Sequence, residues 1–165
     1  MSSDAPRSRT VEWEDPAPPL AASRAMDGLT YLRALIAGEL PPPPIARLLD
    51  FTLVSAEPGE AVFECEPREF HYNVLGVVHG GVACTLLDTV VGCAAHTTLP
   101  AGVGYTSIDL TVSYLRPILS TTGMLRARGR VVKGGSRVIF AEGVLEDASG
   151  TALATATSSL LVLRP

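Results

Sequence analysis

The stretch NVLGVVHGGVACTLLDTVVGCAA, from Asn73 to Ala95, decides how this chain folds. A polar loop with several glycines leads through His79 into a long apolar run. The run is too apolar around its circumference for a surface helix, which predicts a central helix buried by the rest of the chain. Its only carboxylate is Asp88, and a buried charge must be paired, protonated or used by a functional site.

The length and composition predict one compact domain. With 165 residues, of which 47% are hydrophobic and 5% aromatic, the chain has room for a single core of the α/β or α+β class. The formal net charge of -4 disfavours nucleic acid as the main partner, because phosphate backbones are bound by basic surfaces.

The N-terminal sequence and the cysteines predict a cytoplasmic protein. Met1 is followed by SSDAPRSRT, which lacks the apolar core of a signal peptide, and no later run is apolar enough to cross a bilayer. Cys65, Cys84 and Cys93 lie in apolar surroundings without metal-like spacing, as small core residues in a reducing compartment do. We expect no membrane partner.

The N-terminal third divides into two predicted segments. Residues 1–23 are rich in Ser, Pro, Asp and Arg, which predicts a flexible arm. Residues 24–50 are predicted to be helical, with a helix over Met26–Leu40 that is capped by Asp27 and stopped by Pro41–Pro44.

Residues 51–165 are predicted to form the α+β core of a single domain that covers 24–165. A hairpin over 51–66 precedes the central helix, and a run of antiparallel strands follows it. In the strand Thr106–Arg116, apolar residues alternate with polar ones, which predicts that Ser107 lies on the face opposite the core. An antiparallel sheet wrapped around one long helix would cover that helix.

Polar groups around the start of the central helix predict chemistry on a carbonyl group. Unpaired N–H groups at a helix start carry partial positive charge, so Gly80 and Gly81 can donate to a carbonyl oxygen that gains negative charge. Asp88 can activate a water molecule or attack directly. Asn73 can orient the carbonyl or the water, and Ser107 can help to hold the water.

The spacing of these residues favours a site shared by two subunits. Gly80 and Asp88 are eight residues apart, which corresponds to about 12 Å along a helix axis. A single chain would struggle to place both on one reacting carbon, whereas the glycine end of one helix can face the aspartate of another.

One pattern joins these residues along the chain. It runs Asn73-x-x-Gly76-x-x-His79-Gly80-Gly81, then Leu87-Asp88, then a strand with Ser107 and Asp109 that ends at Tyr114-x-Arg116-Pro117. The pattern resembles that of the hotdog-fold acyl-CoA thioesterases, specifically the phenylacetate-pathway (PaaI-like) group, over residues 51–163. The resemblance implies the hotdog fold, in which an antiparallel sheet wraps around a long central helix. It also implies a homodimer with a continuous sheet, commonly paired into a homotetramer, with active sites at the subunit interface.

The resemblance also implies an activity and a role for each motif residue. The expected reaction is hydrolysis of an acyl-CoA, or of an acyl-carrier-protein thioester, to a free acid and a thiol without a cofactor. Asp88 is implied to be the general base or nucleophile, and Gly80 the backbone donor to the thioester oxygen. Asn73 is implied to position the substrate and Ser107 to orient water, while His79 opens the turn in a structural or supporting role.

A basic interval suggests where the phosphates of coenzyme A bind. No acidic residue lies between Asp109 and Glu142, whereas six basic residues do: Arg116, Arg126, Arg128, Arg130, Lys133 and Arg137. Such a region can attract phosphates, or it can be a solvated strand face whose partners lie elsewhere, and both interpretations stay open. The predicted substrate-binding residues are Gly81, Arg116, Lys133, Gly135, Ser136 and Arg137.

Simpler roles and other functions stay open at this point. Asp88 can be satisfied by hydroxyl groups, Asn73 can simply close a turn, and Ser107 can lie on a plain solvent face. His71 and His79 have no carboxylate or cysteine at a helpful spacing, so no metal site is predicted. The alternatives in function are an acyl-CoA sensor without catalysis and a hydratase or dehydratase that pairs His79 with Asp88.

Overall fold

The computed structural model describes residues 6–165, which form helices packed against one antiparallel sheet. In chain order the elements are α1 (Ala17–Ala25), α2 (Gly28–Ile36), α3 (Pro44–Leu49), β1 (Phe51–Glu57), β2 (Glu60–Cys65), a short 3-10 helix (Glu69–His71), α4 (Gly80–His96), β3 (Gly104–Tyr114), β4 (Leu125–Lys133), β5 (Val138–Glu146) and β6 (Ala152–Leu163). Among these residues no helix combines the length and the apolar character needed to cross a membrane.

The sheet wraps around the central helix as predicted. Its strand order is β1-β2-β4-β5-β6-β3, with every neighbouring pair antiparallel, so β1 and β3 are the edges. Helix α4 contacts all six strands. The approach is close because Gly129 lies beneath the helix, where a Cβ atom would stand 2.4 Å from the carbonyl oxygen of Val90.

The core lies between α4 and the sheet. The side chains of Leu87 and Val90 have 0% exposure, and they pack with Leu145 and Leu160 of the sheet. Burial of such a side chain contributes about 1.5–3 kcal/mol, so this layer dominates the stability of the domain. The apolar run that predicted a central helix is therefore the main source of the core.

One stripe of α4 is left uncovered, which corrects the prediction of a helix buried on all sides. Gly81 and Asp88 are exposed, and Cys84 and Thr85 between them are half-buried. These positions follow the i, i+3, i+4, i+7 spacing of one helical face. Asp88 therefore does not pay the cost of a buried charge in the single chain.

A β-bulge in β3 corrects the predicted orientation of Ser107. The pairing with β6 shifts between Ser107 and Asp109, which leaves Ile108 unpaired and 56% exposed. An extra residue in a strand reverses the alternation of faces across it. Ser107 before the bulge and Leu110 after it consequently both face the helix side of the sheet, where Ser107 reaches Asp88 and Leu110 packs against the core.

The N-terminal segment is more ordered than the predicted arm. Helix α1 occupies residues 17–25, and Pro19 within it is buried. Arg9 donates to the carbonyl oxygen of Leu48 at 2.7 Å and lies 4.0 Å above the ring of Phe70. The part of the arm before residue 6 lies outside the described residues.

The predicted cap of helix α2 is confirmed, because an oxygen of Asp27 accepts from the N–H of Thr30 at 3.0 Å.

Candidate active site

The start of α4 presents an unpaired backbone donor at its first residue. His79 is the N-cap residue, and its Nδ1 accepts the N–H of Gly81 at 2.8 Å. That N–H is therefore occupied within the single chain and is not free to donate to a ligand. The N–H of Gly80 has no acceptor within residues 6–165. Gly80 is thus the donor that the helix start offers to a ligand, and His79 holds the turn.

Asn73 lies in the same cavity as Gly80. Its Oδ1 accepts the N–H of Leu75 at 2.8 Å, so the side chain closes a turn, while its amide N–H groups keep their capacity to donate. Asn73, Gly80 and Arg116 line a cavity of about 350 Å³. We call these three residues the carbonyl half-site, because they bring a backbone donor, an amide and a guanidinium together.

Asp88 and Ser107 form a second polar pair, which we call the carboxylate half-site. The hydroxyl of Ser107 donates to Oδ1 of Asp88 at 2.9 Å, and both residues are exposed. The bulge at Ile108 brings this about, because a regular strand would turn Ser107 away from α4. A carboxylate oriented in this way keeps lone pairs free to accept a proton from water.

The two half-sites are separate in one chain. Gly80 and Asp88 are two helical turns apart, about 12 Å along the axis and about 80° around it. They line different cavities that share no residue. His79 lies still further from Asp88, at about 14 Å along the axis, so the two do not form an acid–base pair within one chain.

The cavity beside Asp88 is the larger one, at about 970 Å³. Besides Asp88, Ser107 and Cys93, it is lined by residues that the sequence had not singled out, among them Tyr31, Leu35, Leu53, Phe63, His96 and Tyr105. Burial raises the pKa of Cys93 to about 12, and burial also raises the pKa of Tyr105 and lowers that of His96. In all three groups the shift disfavours the charged form, as burial in the cavity wall does. The sequence did carry one signal for this wall. Positions 88, 92 and 96 are four residues apart, so they lie on one face of α4.

The arginines of β4 lie on the outer face of the sheet and have partners there. Arg128 pairs with Glu146 at 3.1 Å and Arg130 with Glu142 at 2.7 Å. Arg126 pairs with Glu64 in the same way. For these three residues the ion pairs favour the second interpretation of the basic interval, a solvated strand face with its own partners.

The remaining basic candidates do not form one site within a chain. Arg116 lies in the carbonyl half-site and donates to the carbonyl oxygen of Ala152 at 2.9 Å. Lys133 ends β4, and the turn after it, which holds Gly135, Ser136 and Arg137, joins β4 to β5 at the other end of the sheet, beside the start of β3. The length of β3 separates the two regions by about 30 Å.

His71, like His79, has structural partners. Nδ1 of His71 accepts the N–H of Arg68 at 3.1 Å, and its Nε2 lies 2.9 Å from the carbonyl oxygen of Leu49. Within the part of the chain that the structure describes, no three His, Cys, Asp or Glu side chains are grouped to hold a metal ion.

The chain is similar to known thioesterases and esterases. The profile of the thioesterase superfamily matches residues 75–154. A protein of Saccharolobus solfataricus named as a candidate esterase is 32% identical over 120 residues, which cover 73% of this chain and 84% of that relative. Acyl-coenzyme A thioesterase 13 of Homo sapiens is 38% identical over 66 residues, or 40% of this chain, and the match spans about half (46%) of that relative's length.

A solved structure shows the same architecture over most of the chain. It is described as a candidate thioesterase, a phenylacetic acid degradation-related protein of Ralstonia eutropha. It superposes with a TM-score of 0.72 at 28% identity, covering 79% of this chain and 98% of that one.

Proposed function

The chain belongs to the thioesterase superfamily with the hotdog fold and is a thioester hydrolase, and we propose that it hydrolyses an acyl-CoA to a free carboxylic acid and CoA. The observation that carries this proposal is the pair of half-sites on α4. An unpaired N–H at Gly80 suits the oxygen of a thioester, and the Asp88 carboxylate held by Ser107 suits a water molecule. The name of the acyl-coenzyme A thioesterase relative supports CoA as the thiol.

We propose that two chains complete each site. In the single chain β3 is an edge strand with one free side, and Asp88 lies on the uncovered stripe of α4 beside it. Antiparallel pairing of β3 with its copy in a second chain would continue the sheet. It would also cover the exposed stripe of α4 in each of the two chains. A two-fold axis there would set the carbonyl half-site of one chain against the carboxylate half-site of the other, and pairs of dimers would form the tetramer.

In the proposed mechanism, water attacks the thioester carbon while Asp88 accepts a proton from it. The carbonyl oxygen becomes an oxyanion that receives hydrogen bonds from the Gly80 N–H and the Asn73 amide, and Ser107 holds the Asp88 carboxylate in position. The tetrahedral intermediate then expels the CoA thiolate, which takes the proton back from Asp88. Alternatively, Asp88 attacks the carbon itself and water cleaves the resulting anhydride. Single-turnover hydrolysis in ¹⁸O-water distinguishes the routes, because only the anhydride route can leave the label in the enzyme.

The proposal assigns the CoA phosphates to the exposed basic residues outside the β4 ion pairs. Arg116 borders the carbonyl half-site, and antiparallel pairing of β3 would bring the other chain's Lys133 and turn of Gly135, Ser136 and Arg137 toward it, with cationic, backbone and hydroxyl donors. Arg116→Ala and Arg137→Ala, made separately, should each raise KM for acyl-CoA, and the thioester of N-acetylcysteamine, which lacks phosphates, should not respond to Arg137→Ala. The proposal also treats residues 24–165 as one domain in the cytoplasm, where the free thiols would stay reduced.

A complementation experiment tests the shared site. Gly80→Pro removes the donor N–H at the first helical position, where proline is tolerated, and His79 before it has φ −60° and ψ 131°, which suits a residue that precedes proline. Gly80→Ala is the matched control, since it adds a similar Cβ contact with the exposed Tyr114 ring but keeps the N–H.

The expected recovery follows from counting sites. Asp88→Asn and Gly80→Pro homodimers should both be inactive, whereas each mixed dimer would have one intact site and one with both defects. Random one-to-one mixing makes half of the dimers mixed, and each mixed dimer has one intact site out of two. About a quarter of the wild-type activity should therefore return. If proven mixing restored nothing while Gly80→Ala stayed active, the shared site would be excluded.

A further inference from the structure

Three polar aromatic side chains meet inside the large cavity, away from Asp88. The ring centroid of His96 lies 5.6 Å from that of Tyr31 and 5.5 Å from that of Tyr105. All three line the same cavity of about 970 Å³ as Asp88. They come from α4, α2 and β3, so three separate elements converge on this point.

The polar atoms of this cluster face the cavity. The two tyrosine hydroxyls and the imidazole have no hydrogen-bond partner within residues 6–165. Every fully buried side-chain nitrogen or oxygen in these residues does have a partner, so the three groups are not fully buried. The three groups therefore reach open space. A ligand that fills the cavity would displace water from these three groups, and polar groups that lose water without gaining a partner are costly. The cluster therefore suits a ligand that offers hydrogen bonds to it.

The distance of the cluster from Asp88 follows from the helix. A Cβ atom at Gly92 would stand 2.8 Å from the Tyr105 hydroxyl, so that hydroxyl lies one turn beyond Asp88. His96 lies two turns beyond it, which places the cluster about 6–12 Å from the carboxylate along the axis. Apolar side chains, including Leu35, Leu53 and Phe63, line the rest of the cavity wall.

Helix α2 is held firmly enough to define one side of the cluster. The N–H of Gly28 donates to the carbonyl oxygen of Leu99 at 3.0 Å, and a Cβ atom there would lie 1.8 Å from the carbonyl oxygen of His96. This close approach fixes Tyr31 next to His96. Because Tyr31 lies outside residues 75–154, the thioesterase profile does not account for this wall.

We propose that this cavity holds the acyl group and favours acyl chains that have an apolar body and a terminal hydrogen-bonding group, bound by Tyr31, His96 and Tyr105. The inference rests on the proposed thioesterase function. An apolar pocket with a few convergent polar groups is the arrangement that selects a ligand by its polar end. An ω-hydroxyacyl chain of about eight carbons spans about 10 Å when extended, which matches the distance to the cluster.

The test compares 8-hydroxyoctanoyl-CoA with octanoyl-CoA. The wild type should show a kcat/KM about tenfold higher for the hydroxylated ester, and the Tyr31→Phe/Tyr105→Phe double variant should lower that ratio at least threefold, because it removes two of the three hydrogen-bonding groups and keeps both rings. Tyr72→Phe is the matched control, since the Tyr72 hydroxyl bonds Ser120 outside the cavity at 2.8 Å and should leave the ratio unchanged. Equal kcat/KM values in the wild type would overturn the inference.

The same esters separate failure of this inference from failure of the proposed function. Hydrolysis of both esters without preference would leave the thioesterase proposal intact and reject the acyl selection. If neither were hydrolysed, the proposed substrate class would fail, and calorimetric titration of the wild type with each ester would still decide the inference. Binding of the hydroxylated ester about tenfold more tightly would support it, and equal affinity would reject it.

Discussion

Replacing Asp88 by asparagine is the most direct test of the carboxylate half-site. The amide has nearly the same shape as the carboxylate and can still accept the Ser107 hydroxyl, which lies 2.9 Å from Oδ1 in the wild type. Since Asp88 is exposed, the free energy of unfolding should change by about 0.5 kcal/mol or less. The amide cannot accept a proton from water, so the substitution removes only the chemistry.

The expected loss follows from the value of a positioned base. General-base catalysis contributes about 10²–10⁴ in rate, which corresponds to roughly 3–5 kcal/mol of barrier, so kcat should fall by that factor while KM changes little. Thiol release from an acyl-CoA, followed with a chromogenic disulfide, measures both constants. Size-exclusion chromatography and urea denaturation establish that the variant assembles and folds as the wild type does.

Asp109→Asn is the matched control for the loss of a charge. Asp109 lies on the same strand as Ser107, but its carboxylate accepts the N–H of Ser159 at 2.9 Å and lies beyond the bulge. Its removal should leave kcat within about threefold of the wild type, as for a surface substitution. If Asp88→Asn kept kcat within the same limit, the assignment of Asp88 as base or nucleophile would be wrong.

Three further predictions concern the surroundings of the site. Ser107→Ala should lower kcat about ten- to a hundredfold, because it removes a hydrogen bond to a charged group, and an unchanged kcat would show that the contact is passive. Deletion of Ile108 should abolish activity by turning Ser107 to the other face, whereas Ile108→Ala should stay active; activity in the deletion variant would contradict the role of the bulge. Burial lowers the pKa of His71 and His96, so the unfolded chain binds more protons, and the free energy of unfolding should fall as the pH drops below about 6.5. Urea titrations at pH 7.5 and 5.5 measure this, and His96→Gln should reduce the difference.

The sequence predicted the central layer well because one physical signal dominates it. The apolar run after His79 is long enough to be a helix and apolar enough to be buried over most of its surface, and α4 covers Gly80–His96 as expected. The turn signals at Glu57–Glu60 likewise fixed the hairpin, where Glu57 pairs with Glu60. Both features depend on local patterns that tertiary contacts only reinforce.

The sequence did not reveal features that depend on pairing between distant segments. The strand Thr106–Arg116 alternates so regularly that nothing in it marks Ile108 as an extra residue, since the bulge is defined only by the register with β6. The basic interval has no acidic residue within it, yet three of its arginines pair with carboxylates on the neighbouring strands β2 and β5, in a register that the sequence alone does not give. Helix α1 was missed because its prolines suggested an extended arm, although proline fits the first helical turn.

The bulge also bears on how the proposed dimer can form. Free edge strands invite pairing, and bulges usually interrupt it, so the extra residue at Ile108 restricts where β3 can pair with its copy. Regular pairing is available over the stretch from Asp109 to Tyr114, which ends beside Gly80, whereas the stretch before the bulge turns Ser107 inward to Asp88. One strand can thus supply both the interface next to the carbonyl half-site and the hydroxyl of the carboxylate half-site. On this reasoning assembly and catalysis depend on the same irregularity, because a regular β3 would extend the edge available for pairing and at the same time leave Asp88 without Ser107.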